Sequence, residues 1–573
     1  MSRNTYNPTK YARSVLITGK ITAIGESPQQ MFERVVKTIF DVEKKFNTPN
    51  KSTKNARSIF AEFVAGKAFT PGTPTLTNAG RKKYDSSALS SCAIIPVNLR
   101  NKTESAKIIR SYYYQNMGSG FDLSDYKDPV SLLLWLNDLS VKETKTGKYD
   151  RYIGNMANLN INHPKIRKFI SAKRKTNLLH FNLSVNINDK FMDAAMHNQS
   201  FKLSNGNGIS AKKLLREIAE CEWFNGEPSL INLDRMNKHN PVSNKLPYTT
   251  TPPCAEMGMA TGETCQFGYI NIRYFVKPSG IEYPKLEKAV ISITRALDNA
   301  LEIGLTKYPN PLSTEVARYK RKIGIAISGI ADTLLYYSIP YDTEKARILV
   351  RDIASFVNYT SKVASYELAC ERGSCGAMSD TKNNKYFDNY LIKRFNKGSN
   401  TVSTATWKTI SDKIKSTGKL RNLTTTAIPP AARVSILMDT SQGIEPMFGV
   451  LNDVGEIPNT VKAFVSKNAK GNTELILKQA IKDHSFQKTD LPKKARNCLK
   501  TAREIKPREH IKMIAALAGK YGVVDEGVSK TVNLPNSAKP EDIEDIIYYS
   551  HKLGIKNIAV YRDGSITEQP KSL

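Results

Sequence analysis

The chain has 573 residues, 40% hydrophobic and 24% charged, with a formal net charge of +32. This is an ordinary globular composition, with no run near the about 20 apolar residues of a membrane helix, no apolar signal core at the N-terminus, and seven cysteines, too sparse for a secreted disulfide scaffold. A cytoplasmic protein is expected, and its lysines, spread along the chain without a basic tail or aromatic–basic interleaving, read as a solvated surface with no nucleic-acid partner.

The first 70 residues read as helical. QQMFERVVKTIFDVEKKF and NARSIFAEFVAGKAF both carry apolar residues at helical spacing. The turn-rich FTPGTPTLTNAG breaks that pattern. From about 86 to 530, short β-rich runs (SSCAIIPV, FNLSVNI, INIRYFV) alternate with amphipathic helical runs such as KLEKAVISITRALDNALEI. That alternation predicts α/β with a mainly parallel sheet. The lysine-rich stretch 465–510 reads as a solvated helical insertion or edge. PEDIEDIIYYSHKLGIKNIAVYRDGS reads as one helix followed by one strand. The expected division is a helical region 1–85, a catalytic region 86–530 and a C-terminal segment 531–573.

Three cysteines carry the chemistry. Cys254 stands in TTPPCAEM with Glu256 two residues on. In an extended segment such a pair points to one face, which would set a thiol beside a carboxylate. Cys92 in ALSSCAIIP and Cys265 in GETCQFGYINI are distant in sequence and could close as a redox pair across the fold. No CxxC pair or zinc-type spacing occurs, so no metal site is expected. Cys221, Cys370, Cys375 and Cys498 read as structural.

At these residues the chain resembles the ribonucleotide reductases, over most of its length. The resemblance implies a ten-stranded α/β barrel built from two five-stranded halves, with a finger loop through its centre. On the family pattern N-P-C-x-E, Cys254 is the residue that becomes a thiyl radical and Glu256 the general base. Pro252 stands where the asparagine belongs, and a proline side chain cannot hydrogen-bond a ribose hydroxyl. SSCAIIP and CQFGYINI match the segments whose cysteines, here Cys92 and Cys265, supply reducing electrons and end as a disulfide. CQFGYINI departs from the family's C-N-L-G-S-I-N-L.

The resemblance also assigns substrate contacts. Thr73 in TPGTPTLTNAG and Ser91 beside Cys92 match positions near the substrate. PPAARVSILMDTSQGIEPMF corresponds to A-P-T-G-T-I-S followed by S-x-G-I-E-P-x-F. Ala431, Ala432 and Arg433 replace T-G-T, so Val434 and Ser435 complete an altered phosphate segment in which Arg433 could add a charge-assisted contact. MGSGFDLSDYK, with Asp122 and Ser124, and KYDRYIGNMANLNINHPKIRKFI, with Arg151, Gly154, Asn155 and Met156, resemble the two loops that read the allosteric nucleotide. Glycine-rich mobile loops would suit that switch. Control of specificity by dNTP or ATP and a homodimer are implied, and an N-terminal ATP cone is not expected.

VVDEGVSKTVNLP and LGIKNIAVYRDGS resemble the closing segments of the adenosylcobalamin-dependent branch. Only one tyrosine, Tyr561, lies where partner-dependent reductases carry a tyrosine pair, and Tyr548-Tyr549 reads as a helix face. With no cysteine after Cys498, thioredoxin, glutaredoxin or a small thiol is the expected reductant. The expected reaction is reduction of a ribonucleoside di- or triphosphate with adenosylcobalamin. The alternatives are the large subunit of a partner-dependent reductase and an inactive nucleotide- or nucleic-acid-binding derivative.

Overall fold

The computed structural model describes residues 5–46 and 50–565. The chain opens with helices Lys10–Thr18, Pro28–Asp41 and Asn50–Ala65. The second starts at a capping box: Gln30 N donates to Ser27 Oγ (3.2 Å) and Ser27 N donates to the Gln30 side chain (2.8 Å). Its buried face (Met31, Phe32, Val35, Val36, Ile39, Phe40) repeats at three- and four-residue spacing. Phe40, Phe60 and Phe69 stack in series at 5.3 and 5.0 Å, which ties the helical region to the first strand.

The strands that build the site are β1 (Phe69–Pro71), β2 (Cys92–Ile94), β3 (Gly118–Asp122), β4 (Asn155–Asn160), β5 (Phe181–Asn186), β6 (Ser229–Ile231), β7 (Thr264–Cys265), β8 (Phe267–Asn271), β9 (Gly324–Ser328), β10 (Thr531–Leu534) and β11 (Asn557–Arg562). Eight of them form one sheet in the order β10-β11-β6-β5-β4-β3-β2-β7. β2 to β6 run parallel to one another, as do β10 and β11. Helices such as Lys102–Tyr113, Pro129–Thr144 and Ala211–Asn225 make the crossovers that parallel pairing requires. Antiparallel seams occur at β6–β11 and β2–β7, so the sheet is mixed. A second sheet, β1-β8-β9, adjoins the first because only Gln266 separates β7 from β8. Parallel bridges Ile325–Thr426 and Ile428–Val528 connect β9 through segment 426–428 to the run that enters β10.

The lysine-rich stretch is more than a solvated edge. Helices Asn459–Asn468, Thr473–Asp483 and Lys493–Cys498 surround a small core of their own, with Val465, Ile476, Ala480, Phe486 and Leu499 buried. The C-terminal piece is a helix, Pro540–Lys552, followed by β11, and β11 pairs inside the eight-stranded sheet. Tyr548 and Tyr549 both lie on that helix, packed partly buried on the core. The Tyr548 hydroxyl donates to Ala195 O, and Arg508 lies over the Tyr549 ring.

Candidate active site

Cys92 and Cys265 are direct partners across the antiparallel seam between β2 and β7. Such cross-strand residues have Cα atoms about 4.5–5.5 Å apart, inside the range a disulfide needs. Both thiols are free and buried. They share an apolar cluster with Met257, Phe267, Tyr269, Ala326, Ala431 and Val434. Burial and the neighbouring Cys92 push the Cys265 thiol well up.

The segment 248–260 folds over these strands as a loop. Its base is closed by an antiparallel bridge between Thr250 and Met259, and Gly527 N donates to Glu256 O (2.8 Å). Asn182 Nδ2 donates to Pro253 O (2.9 Å). The tip is a turn, with Ala255 N donating to Pro252 O (3.0 Å) and Ala255 in the left-handed region at φ 56°. The extended geometry expected around Cys254 is therefore corrected: the turn, not strand alternation, brings the thiol and the Glu256 carboxylate together. A non-glycine residue with positive φ costs on the order of 1–3 kcal/mol and persists only where its surroundings hold it.

The close approach of this loop explains two glycines. A Cβ on Gly120 would meet Thr251 O at 2.2 Å, and one on Gly118 would meet Cys92 Sγ and Pro253 Cγ at 3.2 Å. Residues 118–122 and 155–160 are thus strands in the main sheet rather than mobile loops, and the β3 glycines make room for the Cys254 turn.

Cys254 is solvent-exposed while Glu256 is 2% exposed. Partial desolvation against the strands beneath and the Glu256 carboxylate push its ionisation well above the ordinary range. It is held as S–H, the form that can give up a hydrogen atom. Burial raises Glu256 to about 7, partly offset by Arg151 and Lys322. Among the described residues, Glu256 Oε2 has no hydrogen-bond partner. A buried carboxylate with one oxygen unpartnered that titrates near neutrality is suited to accept a proton.

Arg151 lies at this site. Its Nη1 donates to Ser91 O (2.8 Å) and Asn116 O (3.1 Å), and its charge acts on Cys254, Glu256 and Tyr269. Arg433, half-buried, faces the like charge of Arg151, which after burial is the second influence against its charged form. Two cations near enough to act on each other favour an anion between them. Ala431 caps the six-residue helix Ala432–Leu437, and Ser435 Oγ donates to Ser328 Oγ (3.3 Å). Thr73 opens helix Thr73–Asn78 after Gly72, whose Cβ position lies 3.3 Å from Ser91 Oγ.

Of the remaining predicted residues, some lie under the loop and others at the far end of the strand or in its interior. Asp122 is four residues beyond Gly118, about 13 Å along the strand. It accepts from Ser124 N (3.0 Å) and Ser124 Oγ (2.6 Å) in a local turn. Asn155 spends its amide on Tyr113, Ser140 and His180. Met156 packs with Tyr248 and Ala255 under the loop, and Gly154 touches Pro253. Several site residues escape a reading of motifs. Tyr269 follows Cys265 at i+4, so strand alternation is the signal that locates it. Lys322 supports the loop by donating to Gly258 O (2.7 Å), with ion pairs to Glu526 (2.9 Å) and Glu263 (3.4 Å). No local signal marks it.

A cross-strand dithiol, a third accessible thiol on a strained turn, and a carboxylate with one oxygen unpartnered beside it, all held by an α/β sheet system behind a helical N-terminal region, define a thiol-based oxidoreductase. The family model described as "Ribonucleotide reductase, barrel domain" matches residues 123–561, and that described as "Ribonucleotide reductase, all-alpha domain" matches residues 5–84. The chain belongs to the ribonucleotide reductase catalytic-chain family. It is 29% identical to a vitamin B12-dependent ribonucleoside-diphosphate reductase of Thermoplasma acidophilum, over 98% of this chain and 74% of that protein. A Mycobacterium tuberculosis protein of the same description is 28% identical over 94% and 75%. The Actinobacillus ureae class Id ribonucleotide reductase alpha subunit shares the fold, with a TM-score of 0.77 over 98% of this chain and 99% of that one at 16% identity.

Proposed function

We propose that the chain reduces ribonucleoside di- or triphosphates to deoxyribonucleotides with adenosylcobalamin. The observation that carries this reading is the arrangement of accessible Cys254 above the buried Cys92–Cys265 pair, with Glu256 between them in sequence and charge. The thiol that must be oxidised from outside is the one open to solvent, which fits a radical-generating cofactor. Pro253, with Asn182 Nδ2 donating to its carbonyl, lies next to Cys254 on the turn that such a cofactor would approach. When bound, adenosylcobalamin supplies the one-electron oxidant for the Cys254 thiol.

From there the chain's own residues act. Cys254, having lost its hydrogen atom, takes the 3′ hydrogen of the ribose. Glu256 accepts the 3′-hydroxyl proton, and the 2′-hydroxyl leaves as water. Cys92 and Cys265 provide two electrons and two protons and end joined by an S–S bond. Cys254 returns its hydrogen to C3′. The net change is ribonucleotide plus two thiols to deoxyribonucleotide plus disulfide plus water. Arg151, Arg433 and the segment 431–435, with Thr73 and Ser91, would hold phosphate and ribose.

Supporting the closed ten-stranded barrel are the two parallel sets β2–β6 and β8, β9, 426–428, β10, β11, joined at the two antiparallel seams. On this reading 1–85 is the helical region, 86–530 carries the catalytic barrel and 531–573 completes it. Effector nucleotide at 117–127 and 148–170, a homodimer, and re-reduction by thioredoxin, glutaredoxin or a small thiol belong to the same proposal.

The test is anaerobic turnover of the four ribonucleotides, as diphosphates and triphosphates, with dithiothreitol and with or without adenosylcobalamin. Cobalamin-dependent product, abolished by Cys254→Ala, is the expected outcome. Product only on addition of a metal-loaded radical subunit would replace the cofactor assignment.

A further inference from the structure

The Cys254 turn offers the substrate no neutral hydrogen-bonding side chain beside its thiol. Pro252, Pro253 and Ala255 flank Cys254, and none carries a side-chain donor or acceptor. Arg151 is charged, and Glu256 is ionised when it acts as the base. A ribose presents several hydroxyl groups that both donate and accept, so a neutral group of the same kind in addition to Ser91 and Thr73 helps to orient it.

Strand alternation supplies one. Cys265, Phe267 and Tyr269 share a face, and all three join the cluster that contains Cys92. Tyr269 is 6% exposed. Its hydroxyl donates to Pro430 O at 3.2 Å, so the phenol spans from the cysteine pair to the start of segment 429–435. The Tyr269 backbone is held on both sides, opposite Thr70 in β1 and Ala326 in β9, which fixes the ring in place. A phenol that donates to a carbonyl keeps lone pairs free to accept. Burial, reinforced by Glu256 and Cys254, pushes its ionisation well up, so it stays neutral.

We propose that Tyr269 accepts a hydrogen bond from a ribose hydroxyl of the bound nucleotide and so positions the sugar against Cys254, the task that Pro252 cannot perform. This rests on the ribonucleotide reductase reading of the site. It adds a substrate-positioning residue to that site.

The experiment measures equilibrium binding to the full chain by calorimetry, with CDP and CTP and the 2′,3′-dideoxy analogue of whichever binds. Tyr269→Phe removes only the hydroxyl. It should weaken binding of the ribose form about three- to ten-fold, the worth of one neutral hydrogen bond, and leave the dideoxy form unchanged. Pro252→Asn placed in the Tyr269→Phe chain should recover most of the loss by restoring a neutral amide at the turn. An equal loss for both forms, or no loss for either, overturns the proposal while the functional reading stands. Wild-type chain that binds neither CDP nor CTP overturns both.

Discussion

Cys92 in β2 and Cys265 in β7 face each other as register partners at an antiparallel seam of an otherwise largely parallel sheet. The seam matters because antiparallel partners are brought side chain to side chain. Two thiols so placed can form and break a bond with little backbone movement. Their burial keeps the pair away from solvent.

Turnover without a reductant should therefore stop after about one deoxynucleotide per chain, since one dithiol delivers one electron pair. Peptide mapping of the stalled enzyme should recover a single Cys92–Cys265 disulfide. A disulfide that includes Cys254 would contradict the division of roles among the three thiols.

Glu256 should set a pH limb of activity. Its carboxyl is raised from 4.5 to about 7 by burial, so kcat/KM should climb as pH rises through about 7 and the base loses its proton. Stability should run the other way. Between about pH 4.5 and 7 the folded chain holds the proton that the unfolded chain has released, so unfolding free energy falls as pH rises. At pH 8 Glu256→Gln should be more stable than wild type by roughly 3 kcal/mol, the equivalent of that shift at about 1.36 kcal/mol per unit, and inactive. Denaturant titrations at pH 5 and 8 check the sign, and equal effects at both would refute it.

Gly120→Ala should displace the catalytic turn. The added Cβ would meet the Thr251 carbonyl at 2.2 Å, and a backbone atom cannot swing aside as a flexible side chain can. Overpacking of this kind costs about 1–3 kcal/mol. The same change shifts Cys254, two residues past Pro252, so kcat should fall about 100-fold or more. A folded variant with wild-type kcat would show that the loop does not depend on this contact.

Lys322→Met should destabilise the loop's foundation. Lys322 is 2% exposed and pairs with Glu526 and Glu263, both buried, while donating to Tyr248 Oη and Gly258 O. Removing one member of a buried ion network leaves uncompensated charge, at a cost of about 3–5 kcal/mol. Urea unfolding measures it, and a loss below about 1 kcal/mol would mean that Glu526 finds another partner, as Glu263 already has in Lys320 (2.7 Å).

The residues that the sequence marks as chemically able are the ones the structure assembles, with informative exceptions. Cys254, Glu256, Cys92, Cys265, Ser91 and Arg151 converge. Asp122 and Ser124 do not, because they end a strand whose beginning lies at the site. The glycines of 117–120, legible as flexible, are there for close approach of Thr251 and Pro253. That distinction lies in which backbone passes overhead, and no neighbouring residue encodes it.

What the sequence by itself determined is local: the helical N-terminal periodicity, the alternation of strands and helices, and three thiols and a carboxylate with the right chemistry. These follow from side-chain period and residue type, which act over a few positions. Only the tertiary structure decided that Cys92 lies opposite Cys265, that Ala255 turns left-handed so Glu256 meets Cys254, and that Tyr269 packs in the same cluster as the cysteine pair. Register across strands and the path of a loop are chosen by burial of the whole apolar face, since a shift of one residue would turn every side chain of a strand away.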